Sequence, residues 1–228
     1  MNILCITHAD FETPGVIEDW ASANQFNFKI EKPYKGENLS SIDNFDVLIV
    51  MGGPQSPIEI DKFPYLKDEI ELIKDAIKHN KRILGFCLGA QLIGEALGAV
   101  TGRSPEKEVG VFSITLTDIG FNDPLLKEFG RTLDVIHWHN DMPGLTDTSE
   151  ILAYSEGCPR QIIKYSQKIY AFQCHLEIIL EGIKEMIRAV PGDLKPSKFT
   201  QSENILLSND YKSINNSMIK ILNKFIEL

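Results

Sequence analysis

The feature that most narrows the folds open to this chain is an alternation within its first hundred residues. Short β-branched runs are separated by longer amphipathic stretches, the pattern of βαβ units feeding a parallel sheet. Strands are predicted at Asn2 to Thr7, Phe28 to Glu31, Asp46 to Val50 and Arg82 to Phe86. Between the last two, Leu66, Ile70, Ile73 and Ile77 recur at helical spacing and mark one face of a helix that Pro64 can open. From Val111 the texture turns β-rich: "VFSITLT", "TLDVIHWH", "EILAYSE", "RQIIKYS" and "KIYAFQCH" are separated by turn residues such as Gly157, Pro159 and Ser166. Two helices are predicted to close the chain, Ile178 to Ala189 and Glu203 to Ile226. The second carries a stripe of Ile214, Met218, Ile221, Leu222 and Phe225, and the connector "VPGDLKPSKFTQ" reads as a loop.

The expected fold class is therefore α/β: a single-domain, open, mostly parallel twisted sheet flanked by helices, with a small antiparallel β addition and a C-terminal helical extension. A length of 228 residues suits one well-buried core. The expected division is a main domain over residues 1–190 and a helical extension over 191–228, packed on the same domain.

Charge and composition exclude several classes of function. A formal net charge of -9 with no dense Lys/Arg run argues against nucleic acid as a partner. The longest strongly apolar runs, such as Val47 to Met51, are too short to span a bilayer, and "MNILCITHAD" lacks the basic start of a secretory signal, so a cytoplasmic setting is expected. Cys5, Cys87, Cys158 and Cys174 show no C-x-x-C spacing and sit mostly in apolar surroundings, which argues against both a zinc site and a disulfide framework.

Cys87 stands apart from the other three. It lies where the strand ending near Phe86 hands over to a helical pattern, and ligands of open α/β sheets sit beyond the carboxyl ends of strands. Gly85 and Gly89 flank it two residues away on either side, the spacing of a nucleophile elbow. The following helix directs free N–H groups at the sulfur, favouring thiolate. A small buried apolar residue at a strand end would leave the same lone G-x-C-x-G, so the reading requires a base.

Among the five histidines, His79 reads as a solvated helix end and His8 as lining of the sheet rim. His175 ends an extended run in which residues two apart share a side, so Glu177 can orient it. Cys87, His175 and Glu177 then form nucleophile, proton shuttle and orienting acid. Negative charge developing on an attacked carboxamide oxygen needs N–H donors, and the candidates are those of Gly53, in "VMGGPQSP", and of Leu88.

These residues carry a family resemblance. The segments "DVLIVMGGPQSP", "ILGFCLGAQLIGEALGA", "EKEVG", "HWHND" and "FQCHLE", in that order, resemble a class I glutamine amidotransferase, specifically stand-alone relatives of the glutaminase domain of GMP synthetase. The resemblance implies that Cys87, His175 and Glu177 hydrolyse the glutamine side-chain amide through a glutamyl thioester. It further implies that Gln91 and the main chain around Asn140 and Asp141 bind the amino-acid end of the substrate, with Gln55 nearby. Two departures stand out: Leu176 replaces the proline common between histidine and glutamate, and Asn140 replaces a glycine. The Glu106, Glu108 and Gly110 segment reads as a structural loop near the site.

No metal or organic cofactor is implied for the thiol chemistry. The expected partner is glutamine or a γ-glutamyl compound. Only 51 residues follow Glu177, and they contain no phosphate-cradling glycine motif, so an ammonia acceptor would be a separate ATP-dependent synthetase. Two other readings stay open: an independent γ-glutamyl hydrolase or transferase using the same triad, and a catalytically silent binding module.

Overall fold

The computed structural model describes residues 1–228. Its first half runs β1 (Asn2–Ile6), α1 (Val16–Ala23), β2 (Asn27–Glu31), β3 (Val47–Val50), α2 (Tyr65–Lys78), β4 (Arg82–Phe86) and α3 (Leu88–Ala96). The second half continues with β5 (Gly102–Leu116), α4 (Asp118–Asn122), β6 (Thr132–Met142), β7 (Glu150–Tyr154), β8 (Ile162–Ser166) and β9 (Ile169–Phe172). It closes on α5 (Leu180–Ala189), α6 (Glu203–Leu206) and α7 (Tyr211–Phe225). No helix is long and apolar enough to cross a membrane.

All nine strands join one mixed sheet in the order β2-β1-β3-β4-β9-β8-β7-β5-β6. The pairings from β2 to β9 are parallel and those from β9 to β6 antiparallel. The antiparallel part is thus a continuation of the sheet, because β9 lies beside β4 while its other edge receives β8.

Burial on both faces explains why the parallel strands read as unbroken apolar runs. Ile3, Cys5, Val47, Ile49, Leu84, Phe86, Tyr170 and Phe172 face one core, shared with α1, α5 and α7. Leu4, Ile6, Leu48, Val50, Ile83 and Ala171 face the other, shared with α2 and α3. The carboxyl ends of β1, β3, β4 and β9 consequently open at a single edge of the sheet.

Two expectations need correction. The predicted helix Glu203 to Ile226 is broken after Leu206, and α7 restarts at Tyr211 with Asp210 accepting a 3.1 Å hydrogen bond from the Ser213 N–H; an N-cap of this kind competes with helix continuation. The Glu106 to Gly110 segment is strand, within β5, where a register shift between Arg103 and Glu108 lets the buried Glu108 face inward. The connector after α5 is stitched to β5: Val109 donates to the Phe199 carbonyl and Gln201 to the Val109 carbonyl, both at 2.8 Å.

The α7 stripe is fully used, with Ile214, Met218, Ile221, Leu222 and Phe225 buried in the same core as α1 and the parallel strands. Met218→Ala should therefore cost about 2–5 kcal/mol, the usual range for emptying a buried methionine site. Urea unfolding followed by circular dichroism measures this; a midpoint equal to wild type would mean that α7 lies outside the cooperative core.

Candidate functional site

The end of β4 is the most constrained point of the chain. Cys87 has φ 48°, a left-handed conformation that non-glycine residues rarely adopt, and its N–H donates to the Phe172 carbonyl at 2.8 Å. The neighbouring glycines are there for space. A Cβ on Gly89 would lie 2.0 Å from the Val50 carbonyl oxygen, and one on Gly85 would lie 2.6 Å from the Gly89 carbonyl. Only bare backbone lets α3 start this close to β3, and the thiol is thereby held at the turn, 3.8 Å from the Trp138 carbonyl oxygen.

His175 and Glu177 follow β9. Two backbone hydrogen bonds to Ile136 of β6, at 2.8 and 2.9 Å, fix His175, and its Nδ1 lies 2.6 Å from Glu177 Oε1. The other carboxylate oxygen accepts from the Leu176 N–H at 2.9 Å, a bond that proline at that position could not supply. Asn215 of α7 donates to the carbonyls of Leu176 and Ile178 at 2.8 and 3.0 Å, and the Glu177 carbonyl accepts from the Val16 N–H at 3.0 Å.

Cys87 and His175 meet at Gly52. A Cβ placed there would lie 3.4 Å from Cys87 Cβ, 3.0 Å from His175 Cε1 and 2.4 Å from Glu12 Oε2, so three reactive side chains converge on one bare Cα. Burial lowers the basicity of the His175 imidazole, but the Glu177 charge, a hydrogen bond with the Cys87 sulfur and the bond to Glu177 outweigh it, and its pKa stands well above the ordinary value.

Beside the thiol lies a cleft of about 270 Å³ that Gly53, Gln55, Gln91, Asn140 and Asp141 all help to line. Gln91 donates to Gln173 Oε1 at 3.1 Å while its own oxygen lacks a partner, and Gln55 donates to the His8 carbonyl at 3.0 Å with its oxygen also unpaired. Asp141 is held by Ser56 Oγ and Arg103 Nη1, each at 2.7 Å, whereas Asn140 is exposed at the mouth. Leu88 is buried at the start of α3; neither its N–H nor that of Gly53 is taken by a backbone carbonyl. Of the remaining histidines, His139 also lines this cleft. His8 is buried, bridging the Gly52 carbonyl (3.0 Å) and Glu69 (2.8 Å), and so supports the Gly52 turn from behind. His79 binds its own helix end at Asp75.

Several cleft residues escape a reading of the sequence. Glu12 is half-buried between Cys87 and His175, makes no hydrogen bond or ion pair within the protein, and has its pKa raised to about 7, chiefly by burial and with Glu177 adding to it. Its one signal was its place on the loop after the first parallel strand. Trp138 donates through its indole to Asp193 at 2.9 Å, closing the cleft with Lys107, which reaches the same carboxylate at 2.5 Å.

Residues 20–189 match the model of the family described as glutamine amidotransferase class-I. The chain belongs to that family. Among class I amidotransferase relatives it is 41% identical to the glutamine amidotransferase-like protein YfeJ of Salmonella typhimurium, over 98% of this chain and 97% of that one. It is 30% identical to the glutamine-hydrolysing GMP synthase of Thermosipho africanus over 68% of this chain and 30% of that longer one. The crystal structure of SMU.1228c superposes with TM-score 0.94 at 42% identity, covering 99% of this chain and all of that one. A glutamine amidotransferase from Thermotoga maritima superposes with TM-score 0.89 at 26% identity, covering 100% and 99%.

Two expectations follow from the electrostatics. His175 should remain an imidazolium at pH 7 in the wild-type protein; in Glu177→Gln, where burial is less opposed, its pKa should fall, as an NMR titration of the ring protons would record. An unchanged titration would mean that Glu177 is not what holds the proton. Glu12 has a folded pKa above its unfolded one, so its ionisation penalises the fold as pH rises from about 4.5 and does so fully above about 7. Glu12→Gln should therefore raise the melting temperature at pH 8 and leave it unchanged near pH 4.

Proposed function

We propose that the protein hydrolyses the side-chain amide of glutamine through a glutamyl thioester on Cys87. The observation that carries this reading is the convergence of Cys87 and His175 at Gly52, with Glu177 seated on the far nitrogen of the imidazole. The Cys87 thiolate attacks the amide carbon, and the oxygen takes up negative charge that the Gly53 and Leu88 N–H groups receive. Collapse of this adduct breaks the C–N bond while the imidazolium of His175 protonates the departing nitrogen, releasing ammonia. Water, deprotonated by the now neutral His175, attacks the thioester; glutamate leaves and the thiolate–imidazolium pair is restored.

Glu177 keeps Nδ1 occupied, so the reacting nitrogen is always Nε2. Gln55 and Gln91 line the cleft with amide oxygens that have no partner and suit the α-ammonium end of glutamine, and Asn140 and Asp141 line the same cleft. Residues 1–190 form the catalytic unit in this reading. Residues 191–228 brace it through Asn215. The ammonia would pass to a separate ATP-dependent synthetase.

Glu12 favours a second reading, in which γ-glutamyl amines are the substrates. A carboxylate without a protein partner next to the thiol can hold a cationic group on the leaving amine, and a bare ammonia leaving group offers it none. The two readings share every step up to the thioester.

Incubating the purified chain separately with glutamine and with γ-glutamyl amines, and measuring glutamate, distinguishes them. Release from glutamine supports the first, and release from the amines alone supports the second. Cys87→Ala should lower either rate more than about a thousandfold, as loss of an essential nucleophile does. Turnover that survives in Cys87→Ala would show that the nucleophile lies elsewhere.

A further inference from the structure

A second polar cluster is buried beside the cleft, which His139 also lines, between β5, β6 and the start of β8. Glu108, His137, His139 and Gln161 are each at most 5% exposed, yet their polar atoms meet at one point. Glu108 Oε2 lies 3.5 Å from His137 Nδ1 and 3.2 Å from His139 Nε2, and the two ring nitrogens are 3.4 Å apart. The side-chain amide of Gln161 places its Nε2 2.7 Å from the carboxylate and 3.2 Å from each ring nitrogen. The four atoms are the corners of a distorted tetrahedron with edges from 2.7 to 3.5 Å. Bonds of about 2.0 Å from a central ion to four ligands give edges of roughly 3.3 Å, inside the observed spread.

Read as hydrogen bonds, this arrangement does not close. If the inner ring nitrogens carry protons, Glu108 Oε2 must accept from both histidines, from Gln161 and from Ser155 Oγ, which is 2.8 Å away. If they do not, His137 Nδ1, His139 Nε2, Glu108 and Ser155 compete for the two protons of one amide. With one inner nitrogen protonated and the other bare, Glu108 can accept from one ring and Gln161 can donate to the other, yet in every tautomer the outer nitrogens His137 Nε2 and His139 Nδ1 stay buried without a partner, at a cost of about 1–3 kcal/mol. No lysine or arginine compensates the carboxylate, whose ion-pair partners are the two histidines alone. The amide oxygen of Gln161 has no partner where it stands, and turning the amide by half a revolution exchanges it with the nitrogen without changing the shape of the side chain.

We propose that Glu108 Oε2, His137 Nδ1, His139 Nε2 and the Gln161 amide oxygen bind one zinc-class divalent cation. Two neutral imidazoles, one carboxylate and one amide oxygen in tetrahedral array are a borderline N/O donor set of the kind Zn²⁺ takes, and all four sites are filled by protein, as in structural centres. Ser155 orients the carboxylate ligand from outside. The ion pins β5 to β6 beside the register shift between Arg103 and Glu108 and immediately before Asn140 and Asp141, so it sets the shape of the cleft wall without touching the reacting atoms. The cysteine spacing that speaks against a thiolate zinc site does not bear on this one.

Cys87 and His175 are themselves able to bind zinc, so the test uses the full chain carrying Cys87→Ser. After dialysis against a chelator and reloading with zinc, one ion per chain should survive gel filtration, as counted by atomic emission. His137→Asn and Glu108→Gln, each added to Cys87→Ser, should bind zinc more than about a hundredfold more weakly, exceeding the loss usual for an outer-sphere partner. Failure of Cys87→Ser to retain zinc, or retention equal in the double variants, overturns the proposal. Should those variants misfold by circular dichroism, cobalt loading of Cys87→Ser alone decides: the intense visible absorption of a four-coordinate site supports the centre. A weak octahedral spectrum or none refutes it.

Discussion

The architecture of the site depends on one close approach, that of α3 to the backbone of β3 at Gly89. The Gly89 N–H donates to the Met51 carbonyl at 3.1 Å, and its Cα rests against Val50 where no side chain fits. This contact forces the chain to reverse within one residue after β4, and Cys87 takes the left-handed conformation that the reversal requires. Strain of roughly 1–3 kcal/mol at such a residue persists only when its surroundings over-determine it. Here they do: the Cys87 N–H is tied to Phe172, and the helix behind it is buried along nearly its whole length. The sulfur is thus positioned chiefly by the backbone beneath it, with the Trp138 carbonyl 3.8 Å away.

The imidazole is delivered by the other half of the sheet. β9 runs parallel to β4, but the chain beyond it leaves the β4 register and pairs with β6 through Ile136, which swings His175 over the end of β4. The antiparallel strands therefore do more than extend the sheet: one of them supplies the backbone that fixes the base, and the next residues of the same strand wall the cleft. The C-terminal helix completes the bracing from the opposite face, where Asn215 ties down the carbonyls on both sides of Glu177.

Charge in and behind the cleft is arranged in layers. The charge of Glu177 holds the His175 imidazole well above its ordinary pKa against burial, while Glu12, which makes no hydrogen bond or ion pair within the protein, is pushed up to about 7, chiefly by burial. The two acids thus differ in setting: Glu177 is hydrogen-bonded to the imidazole and Glu12 is not. Farther back, Glu108 is held well below the ordinary carboxylate range despite its burial, because two histidines bind it.

The sequence by itself determined the parallel half of the fold, the tight turn at Cys87, and the choice of Cys87, His175 and Glu177 as candidate site residues. Hydrophobic period, glycine spacing and the two-residue alternation of His175 and Glu177 are local properties that neighbours in the chain already fix. It also revealed the stripe of α7, but not the break at Asp210, since a side-chain cap can end a helix whose apolar rhythm continues. Only the tertiary structure decided that the β-rich segments join the same sheet, that "EKEVG" is strand, that Glu12 faces the thiol, and that Glu108, His137, His139 and Gln161 meet at one point. The reason is physical: each of these depends on strand order and register between segments tens of residues apart, and a one-residue slip in pairing would send those side chains to the opposite face.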